Sequence, residues 1–266
     1  MSSMVGAADD RFPRSIGQLR RGECQEKAVG KLKHTLRGAA LLASLARWVS
    51  GAHVHWLWRP VEPRPRVYFA NHSSHLDTLV LWGALPTAVR SVTRPVAAED
   101  YWQQSALRSF LATRVFRSVL IPRPDAGLFG GRRTLAPMLR ELDRGGSLIL
   151  FPEGTRGNGQ EVSEFKGGLY QLCRERSGLE VVPVYLENLS RVLPKGEFLP
   201  IPAASSVTFG QPLRLQTGEA RSDFLSRARQ ALRDLRDQPP TAVPAACPTP
   251  TPSPLHSLAS RPREST

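Results

Sequence analysis

Cysteine is scarce in this chain: three in 266 residues, at Cys24, Cys173 and Cys247, with no C-x-x-C pair. That spacing excludes a disulfide framework and a zinc ribbon, and fits a reducing compartment. Long apolar runs are missing too. The strongest candidate, Gly38 to Trp58, is interrupted by Arg47 and runs into His53 and His55, short of the roughly 18–20 uncharged residues that a membrane span requires. There is no G-x-S-x-G, which excludes a nucleophile elbow of the serine-hydrolase kind. Asp9 and Asp10 stand where a basic leader would begin, so no cleavable signal is expected. Acidic residues are also few, 23 against 36 Lys and Arg, for a formal charge of +13 and a pI near 10.7. Such a surface attracts nucleic acid, anionic lipid or phosphorylated metabolites. No nucleic-acid recognition module can be found in the sequence, so lipid and phosphate remain the expected partners.

What is present divides the chain into four stretches. Residues 1–25 are expected to be a flexible N-terminus. Over 26–60, Lys27, Lys31, Lys33 and Arg37 precede an Ala/Leu-rich run with Trp48, Trp56 and Trp58. That pattern predicts an amphipathic helical element on an anionic membrane surface, the alternative being a helix that covers the core. Residues 61–237 alternate β-prone and helical runs. Strands are expected at 66–70, 91–97, 118–122, 147–151, 181–186 and 206–210, and helices at 74–85, 99–114, 126–144, 164–176 and 221–236. The fold class is therefore α/β, a single mixed or largely parallel sheet flanked by helices. Pro137 predicts a kink or a split in the third helix. Residues 238–266, rich in Pro, Thr, Ser and Ala, hold too little apolar surface to order and are expected to be disordered.

Of the six histidines, two stand three apart in "YFANHSSHLDT" (Tyr68 to Thr78). His72 follows a strand, and Ser73 or Ser74 can cap the helix after it. On a regular helix, residues five apart point about 140° away from each other. Asp77 can therefore reach His72 only if His72 lies in the turn before the helix. A carboxylate in that place fixes the imidazole tautomer and leaves the other nitrogen as a base, an arrangement suited to activating a hydroxyl for attack on an acyl carbon. A metal centre of His72, His75 and Asp77 would need ligands that the downstream sequence does not supply, since only His256 remains there. A helix-capping turn without chemistry is the third reading. Eighty residues on, "LILFPEGTRGNG" (Leu148 to Gly159) ends a strand in an acid, a glycine, a hydroxyl and a guanidinium. The planar fork of Arg156 suits a phosphate, and Gly154 permits close backbone approach. Arg123 and Lys166 are placed to close such an anion site from neighbouring loops.

Together these stretches resemble the glycerolipid acyltransferase superfamily, most closely the bacterial lysophosphatidate (1-acyl-glycerol-3-phosphate) acyltransferases. The family motif N-H-x-S-x-x-D is matched by Asn71, His72, Ser74 and Asp77, and F-P-E-G-T-R by every residue from Phe151 to Arg156. F-K-x-G is matched by Phe165, Lys166 and Gly168, and V-P-[VI] by Val182, Pro183 and Val184. Of the motif G-x-x-F-I-x-R only Ile121 and Arg123 are kept, in "RSVLIPR". The resemblance implies a membrane-peripheral enzyme on the cytoplasmic face that moves an acyl group from a coenzyme A or acyl carrier protein thioester to the free hydroxyl of a lysophospholipid. It implies no cofactor and no metal. Within it His72 is the base and Asp77 its orienting partner. Arg123, Glu153, Gly154, Thr155, Arg156 and Lys166 hold the acceptor, while His75 falls outside the fixed positions. Other acceptors, among them a lyso-ornithine lipid and glycerol 3-phosphate, or a lipid-binding module without catalysis, are the alternatives.

Overall fold

The computed structural model describes residues 51–58, 64–99, 109–122, 132–157, 159, 161–192 and 204–237. Among these residues seven strands form one sheet in the order β1-β7-β6-β2-β5-β3-β4. They are β1 (Ala52–Trp56), β2 (Arg66–Ala70), β3 (Thr93–Ala98), β4 (Val119–Ile121), β5 (Ser147–Leu150), β6 (Glu180–Glu187) and β7 (Ser205–Phe209). Every neighbouring pair is parallel except β6 with β7. The helices are α1 (Asp77–Ala84), α2 (Thr87–Val92), α3 (Arg132–Asp143), α4 (Gly168–Glu175), α5 (Leu189–Val192) and α6 (Arg221–Asp237), with a π-helical turn at Leu111–Val115.

All five residues of β2 are buried, as a parallel strand covered on both faces should be. Its side chains alternate between two cores. Tyr68 and Ala70 join α1 and Phe116 on one face, while Val67 and Phe69 join α3, α4 and α6 on the other. The chain leaves β2 through α1 on the first face and leaves β5 through α4 on the second, yet β2 and β5 are neighbours in the sheet. A crevice opens at the carboxyl ends of two adjacent strands whose connections part in this way.

Several expectations need correction. Of the stretch 26–60 assigned to a membrane helix, Ala52–Trp56 is an edge strand paired with β7, and Trp56 stacks on Phe209 with ring centroids 3.7 Å apart. The alternation of Ala52, Val54 and Trp56 toward the core with His53 and His55 away from it has the period of a strand. Residues 1–50 and 238–266 lie outside the described residues. No helix among the described residues is long and apolar enough to cross a membrane. Helix α3 is not split at Pro137, which lies inside it. The helix expected from residue 164 begins at Gly168, because the backbone before it is committed elsewhere: the Ser163 and Lys166 N–H groups donate to Glu153 and to the Pro152 carbonyl. Neither Ser73 nor Ser74 is the N-cap of α1; Leu76 holds that position, without a side-chain cap.

Candidate active site

The loop after β2 and the loop after β5 meet at this crevice. Asn71 fastens the first of them: its amide donates to the Leu186 carbonyl at 2.9 Å and accepts from the Leu186 N–H at 2.8 Å. The side chain thereby continues the β2–β6 ladder by one rung. His72, next in the chain, lies before the helix, and its Nδ1 contacts Oδ2 of Asp77 at 2.8 Å. The same oxygen accepts from the backbone N–H groups of Ser73 at 2.6 Å and Ser74 at 2.8 Å. The loop thus folds around the Asp77 carboxylate, the reverse of a serine capping the helix. Asp77 is fully buried, and its Oδ1 has no hydrogen-bond partner among the described residues. With Nδ1–H donating to Asp77, the lone pair of His72 sits on Nε2. The imidazole stacks on Phe151, centroids 4.2 Å apart, and its side chain is 22% exposed.

Glu153 has a different place from the one expected of it. It is buried, and its two oxygens accept the backbone N–H groups of His72 at 2.9 Å and Ser163 at 3.1 Å. A carboxylate so committed joins the histidine loop to the 161–166 strap and does not present itself to a ligand. The Gly157 N–H adds a second tie, donating to the His72 carbonyl at 2.8 Å. Gly154 takes φ of 74°, where a side chain is strained, and this turn brings Thr155 and Arg156 to the front of the loop.

His72, His75, Thr78, Gly154, Thr155 and Arg156 line one side of a cavity of about 330 Å³. Pro95 to Ala98 of β3, Ile121, Leu150 and Phe151 make the apolar remainder. Lys166 is exposed and does not line it. Arg123, next but one after Ile121, lies outside the described residues. Ser74 is buried beneath the loop, with its Oγ 3.3 Å from the Leu76 N–H. His75 meets Arg156 through its Nε2, so it faces a cation and is turned to a different partner from His72. Among the described residues no group of three or more His, Cys, Asp or Glu is arranged to hold a metal ion. A larger cleft of about 590 Å³ lies at the β1–β7 edge, lined in part by His53, His55 and Glu187, and shares no residue with the His72 cavity.

A family model described as Acyltransferase matches residues 59–187. Taffazin of Dictyostelium discoideum is 33% identical over 152 residues, covering 52% of this chain and 50% of that protein. A chloroplastic 1-acyl-sn-glycerol-3-phosphate acyltransferase of Arabidopsis thaliana is 27% identical over 139 residues, covering 52% of this chain and 36% of that protein. The chain thus spans half or less of the length of these two relatives. The crystal structure of the 1-acyl-sn-glycerophosphate acyltransferase from Thermotoga maritima superposes with a TM-score of 0.60 at 19% identity, over 79% of this chain and 83% of that one, a likeness of fold.

Proposed function

We propose that this chain, an acyltransferase of the glycerolipid acyltransferase superfamily related to the 1-acylglycerol-3-phosphate acyltransferases, acylates a lysophospholipid, with 1-acyl-glycerol-3-phosphate as the acceptor and phosphatidate as the product. The observation that carries the reading is the His72–Asp77 couple, presented at the mouth of an apolar cavity beside a guanidinium. His72 Nε2 takes the proton of the acceptor hydroxyl as its oxygen attacks the thioester carbonyl carbon. The tetrahedral intermediate collapses with cleavage of the C–S bond, and the imidazolium returns the proton to the departing sulfur. Asp77 holds the ring and stabilises its charge while the proton is on it. Arg156 binds the phosphate, and the wall of β3 and Ile121 receives an acyl chain. The backbone N–H groups of His72, Ser73, Ser74, Gly154 and Gly157 are engaged within the two loops, so stabilisation of the oxyanion by a loop amide does not fall to these five. The protein works against an anionic membrane surface, to which its charge draws it.

The test is an acceptor panel on the purified full-length protein. Acyl-coenzyme A and acyl carrier protein thioesters are each offered with lysophosphatidate, glycerol 3-phosphate, a lyso-ornithine lipid and a phosphate-free monoacylglycerol, and products are read by lipid mass spectrometry. Lysophosphatidate is expected to be used best, and His72→Ala to lose on the order of 10²–10⁴-fold in turnover. Transfer that survives His72→Ala, or a wild type that acylates none of these acceptors, would end the proposal.

A further inference from the structure

His75 is the titratable residue among the three positions of the N-H-S-S-H-L-D loop, with Ser73 and Leu76, to which the family pattern assigns nothing. It stands in the turn before α1, exposed and lining the cavity, and its Nε2 meets Nη1 of Arg156 from the opposite loop. A guanidinium only donates, so the imidazole nitrogen at this contact must accept. His75 is therefore neutral, with its proton on Nδ1, for as long as Arg156 donates to it. Among the described residues His72, His75 and Arg156 are the charged or titratable side chains that line the cavity, and His72 is held by Asp77. Among the described residues no carboxylate lines it, Asp77 and Glu153 being buried beneath the loops, and the wall from β3 and β4 is apolar. The described lining thus carries one fixed positive charge, on Arg156, and in His75 an imidazole that can accept a proton.

We propose, building on the acyl-transfer reading, that His75 and Arg156 form a two-part clamp that selects acceptors by the charge on their phosphate, favouring a monoester over a diester. A phosphate monoester carries a charge of about −1.5 to −2 near neutral pH, whereas a diester carries a single negative charge. When a monoester enters, Arg156 turns its donors from His75 to the phosphate oxygens. The released Nε2 takes a proton from solvent and donates to another oxygen of the same group. Arg156 alone balances a diester, and the diester's second substituent occupies the position that His75 would reach.

Calorimetry on the full-length protein near pH 7.5, in two buffers of different ionisation heat, reads affinity and proton uptake together. The probes are sn-glycerol 3-phosphate as monoester and sn-glycero-3-phosphocholine as diester. Wild type is expected to bind the monoester with net proton uptake. His75→Gln keeps an acceptor for Arg156 but cannot be protonated. It is expected to lose the uptake and bind the monoester about tenfold more weakly, the scale of one charge-assisted hydrogen bond at a half-open site. Its affinity for the diester and its melting temperature should not change. Uptake that persists in His75→Gln, equal weakening of both probes, or a wild type that does not bind glycerol 3-phosphate would overturn the clamp. Acyl transfer to lysophosphatidate on the same preparations separates the two proposals. Transfer without His75-dependent uptake removes the clamp alone, and uptake without transfer removes the reaction and keeps the clamp.

Discussion

Buried acids lie at both ends of the β2–β6 pair, Glu180 on β6 at one and Asp77 and Glu153 in neighbouring elements at the other, and the two ends satisfy them with different donors. At the amino end, Glu180 of β6 is bound by Arg66 of β2 at 2.8 Å and by Arg214 at 2.6 Å, with Arg64 at 3.6 Å. Arg66 is itself buried, and Trp58 lies over its guanidinium at 4.9 Å. At the carboxyl end, Asp77 and Glu153 are held by backbone N–H groups and by His72. Guanidinium partners cancel the acid's charge. Amide donors carry no net charge, so among the described partners of Asp77 Oδ2 only the His72 ring can carry one. A carboxylate paired with an arginine would hold the ring in place but would do little for the proton on it.

Asp77→Asn breaks this arrangement with the largest expected effect. The asparagine carbonyl can still accept from Ser73 and Ser74, so the loop keeps its shape while the charge that stabilises protonated His72 is gone. Turnover of lysophosphatidate is expected to fall about 10²–10⁴-fold, with a melting temperature within a few degrees of wild type. A loss of folding parallel to the loss of activity would show the carboxylate to be scaffold alone.

Next in size is the opposite end. Glu180→Ala leaves the buried Arg66 guanidinium without its acid, which costs about 3–5 kcal/mol of stability. For a domain of this size that lowers the melting temperature by roughly 10 °C or more. Activity per folded molecule, measured well below the transition, is expected to be unchanged, because the network lies at the far end of the strands from His72. A fall in kcat would show that the two ends are coupled through β2.

Glu153→Gln belongs between the two, since its carboxylate is amide-held like Asp77 but neither contacts the His72 ring nor lines the cavity. One backbone N–H keeps its acceptor, and the other is set against the new NH₂ group. The expected cost is about 1–3 kcal/mol of stability. Displacement of the His72 loop should add a roughly tenfold to hundredfold loss in kcat/KM, the scale of an ångström of misplacement. Denaturant melts and kinetics on one preparation check both.

The two ends were also unequally legible in the sequence. Strand β2 and the approach of Asp77 to His72 follow from local pattern, because a β-prone run, a turn and a five-residue step lie within a dozen residues. Glu153 reads in the sequence as a ligand-binding group, since an acid between Pro and Gly shows its charge and not the His72 and Ser163 amides that donate to it. The one hint was its place three residues after a buried strand. The Arg66–Glu180 pair joins residues 114 apart, and nothing local in either stretch marks them as partners. Strand β1 was not legible as a strand because Trp56 and Trp58 suit an interfacial helix, although the alternation of His53 and His55 with Val54 and Trp56 has the period of a strand.

The smallest expected effect concerns acid. Burial pushes the Glu180 carboxyl up, but hydrogen bonds from Arg214 and Arg66 more than offset this and hold it below the ordinary carboxylate range. In the unfolded chain the group returns to that range and binds its proton more readily, so the folded state is favoured wherever the unfolded chain carries the extra proton or both states are ionised. The contribution is complete above the ordinary glutamate pKa of about 4.3 and is lost as pH falls through the lower folded value. Glu180→Gln cannot titrate, and its side-chain oxygen can still accept from one arginine. The difference in melting temperature between wild type and Glu180→Gln should therefore be constant from pH 7 to about pH 5 and shrink below that, by a few degrees at most, about 1 kcal/mol for a domain of this size. A difference that stays constant into strong acid would mean that the arginines hold the neutral side chain as well as the charged one. Shape rather than charge would then stabilise the amino end of the sheet, and the contrast with the amide-held carboxylates at the other end would lose its electrostatic basis.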